Sequence, residues 1–162
     1  MFFLVALSAC SKPAGTPVET PAPAPAAVAP APPPPTFPCC DTPAAIEVVD
    51  AYVAVNHALA KDDDAAAAAA LTRLATAAAA EPTLAGVAAA VGPMAAQDIE
   101  AKRSALKPLA PELVAYARAH TGGTTTLSEA FCPMVNAGWI QAGSTISNPY
   151  YGAKMLTCGS FR

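Results

Sequence analysis

Residues 42–64 read TPAAIEVVDAYVAVNHALAKDDD, and this stretch decides the fold. Its large apolar residues recur with the 3.6-residue period of an α-helix and cover a broad face. These apolar positions are Ile46, Val48, Val49, Tyr52, Val53, Val55 and Leu59. Thr42 followed by Pro43 is typical of a helix N-cap and a first helical residue. The stretch therefore predicts an amphipathic helix that packs against other helices.

Three more helical segments follow along the chain. Asp62-Asp63-Asp64 ends the first helix and places acidic residues at the start of a second, alanine-rich helix over 65–80. Glu81-Pro82 ends the second helix, and a third is predicted from about 93 to 107. A fourth helix opens at Pro111 and ends at Gly122-Gly123.

Four helices with short connections favour an antiparallel bundle. The predicted fold class is therefore all-α: a bundle of about four helices, finished by an irregular C-terminal tail that carries Cys and Met. Within that tail, 124–131 is a short β-prone segment. We expect a core that contains Tyr52, Leu59, Leu71, Leu74, Ile99, Leu106, Leu113, Tyr116 and Trp139.

The composition excludes several functions. The chain has 162 residues with 9 Lys+Arg against 12 Asp+Glu, so it offers no basic stripe for a nucleic acid. It contains no glycine-rich phosphate loop, and no nucleophile stands in a recognisable elbow or triad setting. We therefore expect a protein that is not an enzyme and has no nucleic-acid partner.

The first ten residues, MFFLVALSAC, match a bacterial lipoprotein signal. Leu7-Ser8-Ala9-Cys10 fits the cleavage box in which the cysteine becomes the lipidated first residue. A secretory signal normally begins with basic residues, so we interpret Met1 as part of the apolar segment, with a start codon upstream. Ser11 after Cys10 indicates delivery to the outer membrane. The expected location is the periplasmic face of that membrane, held by a lipid anchor.

A proline-rich tether separates this signal from the helices. Twelve of the 18 prolines fall between Pro13 and Pro43, in a stretch with hardly any charge. Such a composition cannot bury a core and favours an extended polyproline-II spacer. The predicted organisation is a lipoprotein signal over 1–10, a disordered tether over 11–43 and a helical periplasmic domain over 44–162.

Two sulfur pairs in mirrored order mark the C-terminal tail: Cys132-x-Met134 and Met155-x-x-Cys158. A tail that folds back would bring the cysteines together and the methionines near them. Thiolate and thioether sulfurs are soft ligands that suit Cu(I) or Ag(I). Cys132, Met134, Met155 and Cys158 are therefore candidate metal ligands, with Cu(I) as the candidate metal.

A disulfide is the competing interpretation of the same cysteines. Exported proteins live where disulfides persist, and a Cys132–Cys158 bond would close a loop of about 27 residues. Such a crosslink contributes roughly 3 kcal/mol through loop entropy. Cys39 and Cys40 leave further pairings open, including pairs with Cys132 and Cys158. On this interpretation the protein is a structural or adaptor lipoprotein.

A pattern that runs through the helical part and the tail resembles a known family. The pattern comprises Tyr52, Ala58-Leu59, Asp62-Asp63, Asp98-Ile99, Arg103, Leu106-Lys107-Pro108-Leu109, Cys132-Pro133-Met134, Trp139, Ile146 and a final block from Asn148-Pro149-Tyr150-Tyr151-Gly152 to Cys158-Gly159. It is similar to domain-of-unknown-function family 3347, over about 44–159. That family occurs as exported proteins and as a C-terminal module on periplasmic adaptors of copper and silver efflux systems. The resemblance implies a helical periplasmic domain in copper handling, with components of a heavy-metal efflux system as partners and no catalytic activity.

Overall fold

The structure is a computed structural model that describes residues 40–121 and 126–162. The predicted lipidation site Cys10, the predicted tether up to residue 39 and the predicted helix end at Gly122-Gly123 lie outside the described residues. The described helices are α1 (Pro43–Ala60), α2 (Asp64–Ala79), α3 (Ala85–Val91), α4 (Ile99–Leu106) and α5 (Ala110–His120). None of them is both long enough and apolar enough to cross a membrane.

The starts of the first two helices follow their capping residues. The Thr42 hydroxyl accepts a hydrogen bond of 3.1 Å from the backbone N–H of Ala45, and Pro43 is the first residue of α1. Asp63 accepts a hydrogen bond of 2.9 Å from the N–H of Ala66 at the start of α2. The side-chain oxygens satisfy N–H groups that have no partner inside the helix. The predicted boundary between α1 and α2 is confirmed.

The prediction of one continuous helix over 93–107 is wrong. A 3₁₀ helix, Gly92–Ala96, follows the unpredicted helix α3, and the chain is extended at Gln97. A new helix, α4, begins because the Asp98 carboxylate accepts a hydrogen bond of 2.9 Å from the N–H of Ala101. A capping aspartate in extended conformation thus splits the segment into two elements.

The core lies where the helices meet. All the predicted core residues are buried except Ile99, which is partly buried at its edge. The alanines of α2 divide by face: Ala67 and Ala78 are fully buried against the other helices, whereas Ala69 is exposed. Small side chains therefore occupy the buried face of α2, which contacts α1.

The sequence predicted an irregular tail, but the tail forms a small antiparallel sheet. Its strands are β1 (Leu127–Cys132), β2 (Ala137–Ala142) and β3 (Ser160–Phe161), in the order β2-β1-β3. The predicted β-prone segment corresponds to β1. The β1–β2 turn needs a residue at positive φ, and Asn136, at φ 51, adopts it readily. The fold is therefore mostly helical with a C-terminal three-stranded sheet.

One buried hydrogen bond joins this sheet to the helices. The side-chain amide of Asn56, on α1, donates a bond of 3.0 Å to the carbonyl of Ile140 on β2. Asn56 is 2% exposed, so the bond is shielded from water. This contact fixes the sheet, and with it the tail cysteines, against the bundle.

Candidate metal centre

The sheet brings the two tail cysteines together. Cys132 ends β1, and β1 pairs with β3 in a register that places Phe131 opposite Ser160. Cys158 lies two residues before β3, so its side chain reaches Cys132: the two Sγ atoms are 2.9 Å apart. Both cysteines are free thiols. Cys132 is fully buried, whereas Cys158 is partly exposed.

Asn148 holds the segment that carries Cys158. This residue is fully buried, and its side-chain amide donates a hydrogen bond of 2.8 Å to the carbonyl of Cys158. Its backbone N–H donates to the carbonyl of Leu156 at 2.7 Å, and its Oδ1 accepts from the N–H of Tyr150 at 2.8 Å. Asn148 also hydrogen-bonds the Cys132 sulfur through its side chain. One buried amide thus contacts both cysteine residues.

Hydrogen bonds shift the pKa values of the two thiols in opposite directions. Burial raises the pKa of the Cys132 thiol, but hydrogen bonds from Cys158, from the backbone N–H groups of Val135 and Met134, and from Asn148 outweigh it, so this pKa lies below its usual value. The hydrogen bond to Cys132 raises the pKa of Cys158, and burial raises it further. The two thiols titrate as a coupled pair, and a hydrogen bond between their sulfurs favours the negative charge at Cys132.

A second buried residue, Arg103 of α4, anchors the loop that precedes Cys158. Arg103 is 2% exposed and donates hydrogen bonds to the Pro149 carbonyl at 3.1 Å and to the Leu59 carbonyl at 2.5 Å. It also pairs with Asp62, whose other carboxylate oxygen accepts the N–H of Ala153 at 2.9 Å. The loop over 148–153 is therefore tied to the end of α1 and to α4.

The separation of the sulfurs can be compared with two kinds of bond. A disulfide requires about 2.05 Å between the sulfurs. Two thiolates that share a tetrahedral metal at about 2.3 Å from each lie about 3.8 Å apart. The observed 2.9 Å falls between these values. Cys132 and Cys158 can close to a disulfide or open by about 1 Å around a metal ion.

The two methionines are less closely placed than the cysteines. Met134 lies in the β1–β2 turn and is 64% exposed, and Met155 ends the 3₁₀ helix Gly152–Met155 and is partly buried. Met134 follows Cys132 by two residues, and Met155 precedes Cys158 by three residues. Among the described residues, no three His, Cys, Asp or Glu side chains form a cluster that could hold a metal.

Other residues of types that can bind a metal include Cys40 and the histidines His57 and His120. Cys40 is disulfide-bonded, and its bond is not to Cys132 or Cys158, which are both free in this structure. His57 is exposed on α1. The Nδ1 atom of His120 lies 2.8 Å from the carboxylate of Asp41, and its ring packs at a tilt of 40° against the Tyr116 ring.

Sequence reasoning missed the roles of two residues, Asn148 and Arg103. Both belong to the quoted family pattern, yet nothing in that pattern indicates which atoms they contact. The available signal was a polar residue before a proline, which favours a turn held by its own side chain. Comparison of the chain with family models, with curated proteins and with solved structures gives no match.

Proposed function

We propose that this chain is a lipid-anchored lipoprotein on the periplasmic face of the outer membrane that binds one soft metal ion, Cu(I) or Ag(I), in copper handling or efflux. Cys132 and Cys158 supply the thiolates, and Met134 or Met155 completes the coordination. The observation that carries the proposal is the 2.9 Å distance between the sulfurs of two free thiols, Cys132 and Cys158. Each of these cysteines has a methionine within three residues in the sequence. Components of a heavy-metal efflux system are the proposed partners.

Three properties of the site support a metal rather than inert thiols. Hydrogen bonds favour the Cys132 thiolate, and the thiolate is the form that binds metal. The sheet and Asn148 hold the segments that carry the cysteines in place. Little conformational entropy is therefore lost when a metal binds. Met134 is a large hydrophobic side chain that is mostly exposed, where it can reach an ion that approaches from solvent.

A competition titration tests the proposal. The full chain, in a Cys39→Ser/Cys40→Ser background and fully reduced, is titrated with Cu(I) against a coloured Cu(I) chelator. We expect one ion per chain. We expect Cys132→Ser to abolish tight binding, and at least one of Met134→Leu and Met155→Leu to weaken it about tenfold or more.

Met94→Leu is the matched control for these methionine substitutions. Met94 is buried in the helical core and is not one of the tail sulfurs, so its replacement changes packing without removing a proposed ligand. Its copper affinity should equal that of the parent chain. Absence of copper uptake, or equal affinity in all the methionine variants, would overturn the proposed coordination.

Cys10 carries the localisation part of the proposal. We expect Cys10→Ala to move the protein from the membrane fraction to the soluble periplasmic fraction when the cells are fractionated. A Cys39→Ser variant controls for the loss of a thiol and should stay with the membrane. Pelleting of the Cys10→Ala variant with the membrane would contradict lipid anchoring.

A structural disulfide is the second candidate function for the pair. It is favoured by the position of Cys132, which is fully buried beside Trp139 in the small core under the sheet. On this alternative the protein is a non-catalytic adaptor, and Cys132→Ser destabilises the fold while the methionine variants leave copper uptake unaffected. Counting free thiols in protein isolated without reductant distinguishes the two states of the pair.

A further inference from the structure

The two sulfurs differ sharply in access to solvent. Cys132 is 0% exposed, whereas Cys158 is partly exposed. A thiolate attacks a disulfide along the line of the S–S bond and expels the far sulfur. If the pair is oxidised, an incoming thiolate can reach Cys158 from solvent, but it has no open approach to Cys132.

The position of Cys132 suits the sulfur that leaves. Cys132 ends β1 and is fully buried with Trp139 in the small core under the sheet, and its Sγ lies 2.9 Å from the Cys158 Sγ. The released sulfur therefore stays inside the fold, beside the sulfur that was attacked. Hydrogen bonds also lower the pKa of the Cys132 thiol, and a thiol of lower pKa leaves faster in thiol–disulfide exchange.

We propose that Cys132 and Cys158 form a reducible disulfide that takes up two electrons from a thiol reductant, with Cys158 as the attacked sulfur and Cys132 as the leaving group. This activity goes beyond metal binding and does not depend on it. It would convert the oxidised pair into the two free thiols of the described structure.

The exchange proceeds in two balanced steps. A reductant thiolate forms a bond to the Cys158 sulfur, the Cys158–Cys132 bond breaks, and Cys132 departs as a thiolate. A second thiolate then attacks the reductant sulfur of this mixed disulfide, and Cys158 leaves and takes a proton from water. The chain ends with two reduced cysteines, and the reductant ends as a disulfide. The two thiolates come either from one protein dithiol or from two molecules of glutathione.

The test maps the mixed disulfide in the wild-type full chain, so it needs no variant that must fold. The pair is first oxidised with a dipyridyl disulfide, and loss of its free thiols is confirmed by thiol counting. One portion is treated with a thioredoxin whose resolving cysteine is replaced by serine, which traps the first intermediate. A second portion is treated with glutathione, and both are digested and examined by mass spectrometry.

We expect the trapped reductant on the Cys158 peptide and a free thiol on the Cys132 peptide. An adduct with thioredoxin alone identifies a protein dithiol as the reductant, and an adduct with glutathione alone identifies a free thiol; either supports the proposal. Adducts on Cys132 as often as on Cys158, no adduct with either reagent, or failure of the pair to oxidise would overturn it. Because copper is absent throughout, failure of the copper titration does not affect this result.

Discussion

Gly152 offers a direct measure of how tightly the loop before Cys158 is packed. It has φ +54, a conformation that disfavours residues with a Cβ atom, at a cost of about 1–2 kcal/mol. A Cβ at this position would also overlap the guanidinium of Arg103 and the Asp62 carboxylate, with the Asp62 Cγ only 2.8 Å away. Overpacking against a buried side chain costs about 1–3 kcal/mol more. Gly152→Ala should therefore destabilise the protein by about 2–5 kcal/mol.

Gly143→Ala is the matched control for Gly152→Ala. Gly143 also has positive φ, +87, but a Cβ there would meet nothing within 4 Å. Its replacement should cost only the backbone contribution of about 1–2 kcal/mol. Urea unfolding followed by circular dichroism gives both free energies of unfolding. Equal losses in the two variants would refute the view that the buried Arg103 side chain fills the space beside the loop.

Three further perturbations probe the bundle and its link to the tail. Ala67→Leu, on the buried face of α2, should lower the free energy of unfolding by about 1–3 kcal/mol. The exposed control Ala69→Leu should change it by less than about 0.5 kcal/mol. Urea unfolding measures both values, and equal losses in the two variants would contradict the buried position of Ala67. Gly86→Ala, at an exposed position in α3 with open space around it, should raise the melting temperature, and a lower one would contradict the helical assignment. The hydrogen bonds from Arg103 and from a backbone N–H lower the pKa of Asp62 below 3.8, so its stabilising effect is present above that pH and is lost as the pH falls through the lowered pKa. Asp62→Asn should therefore reduce the loss of stability between about pH 5 and pH 3 in urea titrations, and an unchanged loss would count against the pairing.

The parts of the fold that the sequence predicted well are those controlled by local chemistry. Thr42-Pro43 and Asp63 cap helices through their own side chains, so the boundaries of α1 and α2 follow from neighbouring residues. Asp98 could have given the start of α4 by the same logic. The predicted helix over 93–107 runs through Asp98 because the alanines before this residue have strong helix propensity.

The sheet and the site depend on contacts between distant residues, which explains why they were harder to predict. Strand β2 contains Gly138 and has no alternation of apolar and polar residues, and β3 has only two residues. Their pairing with β1, rather than their own propensity, makes them strands. The meeting of Cys132 and Cys158 was foreseen from their spacing, but the roles of Asn148 and Arg103 require coordinates, because each bonds backbone carbonyls that no side-chain pattern identifies.

The bond from Asn56 to Ile140 has a consequence for how the chain responds to truncation. Its partners are separated by 84 residues, so a chain cut after α5 keeps the Asn56 amide and loses its acceptor on β2. In that shortened chain the amide either stays in water, which leaves the core beside it open, or is buried without a partner at a cost of about 1–3 kcal/mol. The helices therefore depend on the sheet to complete their core, and removal of the sheet should weaken both parts together.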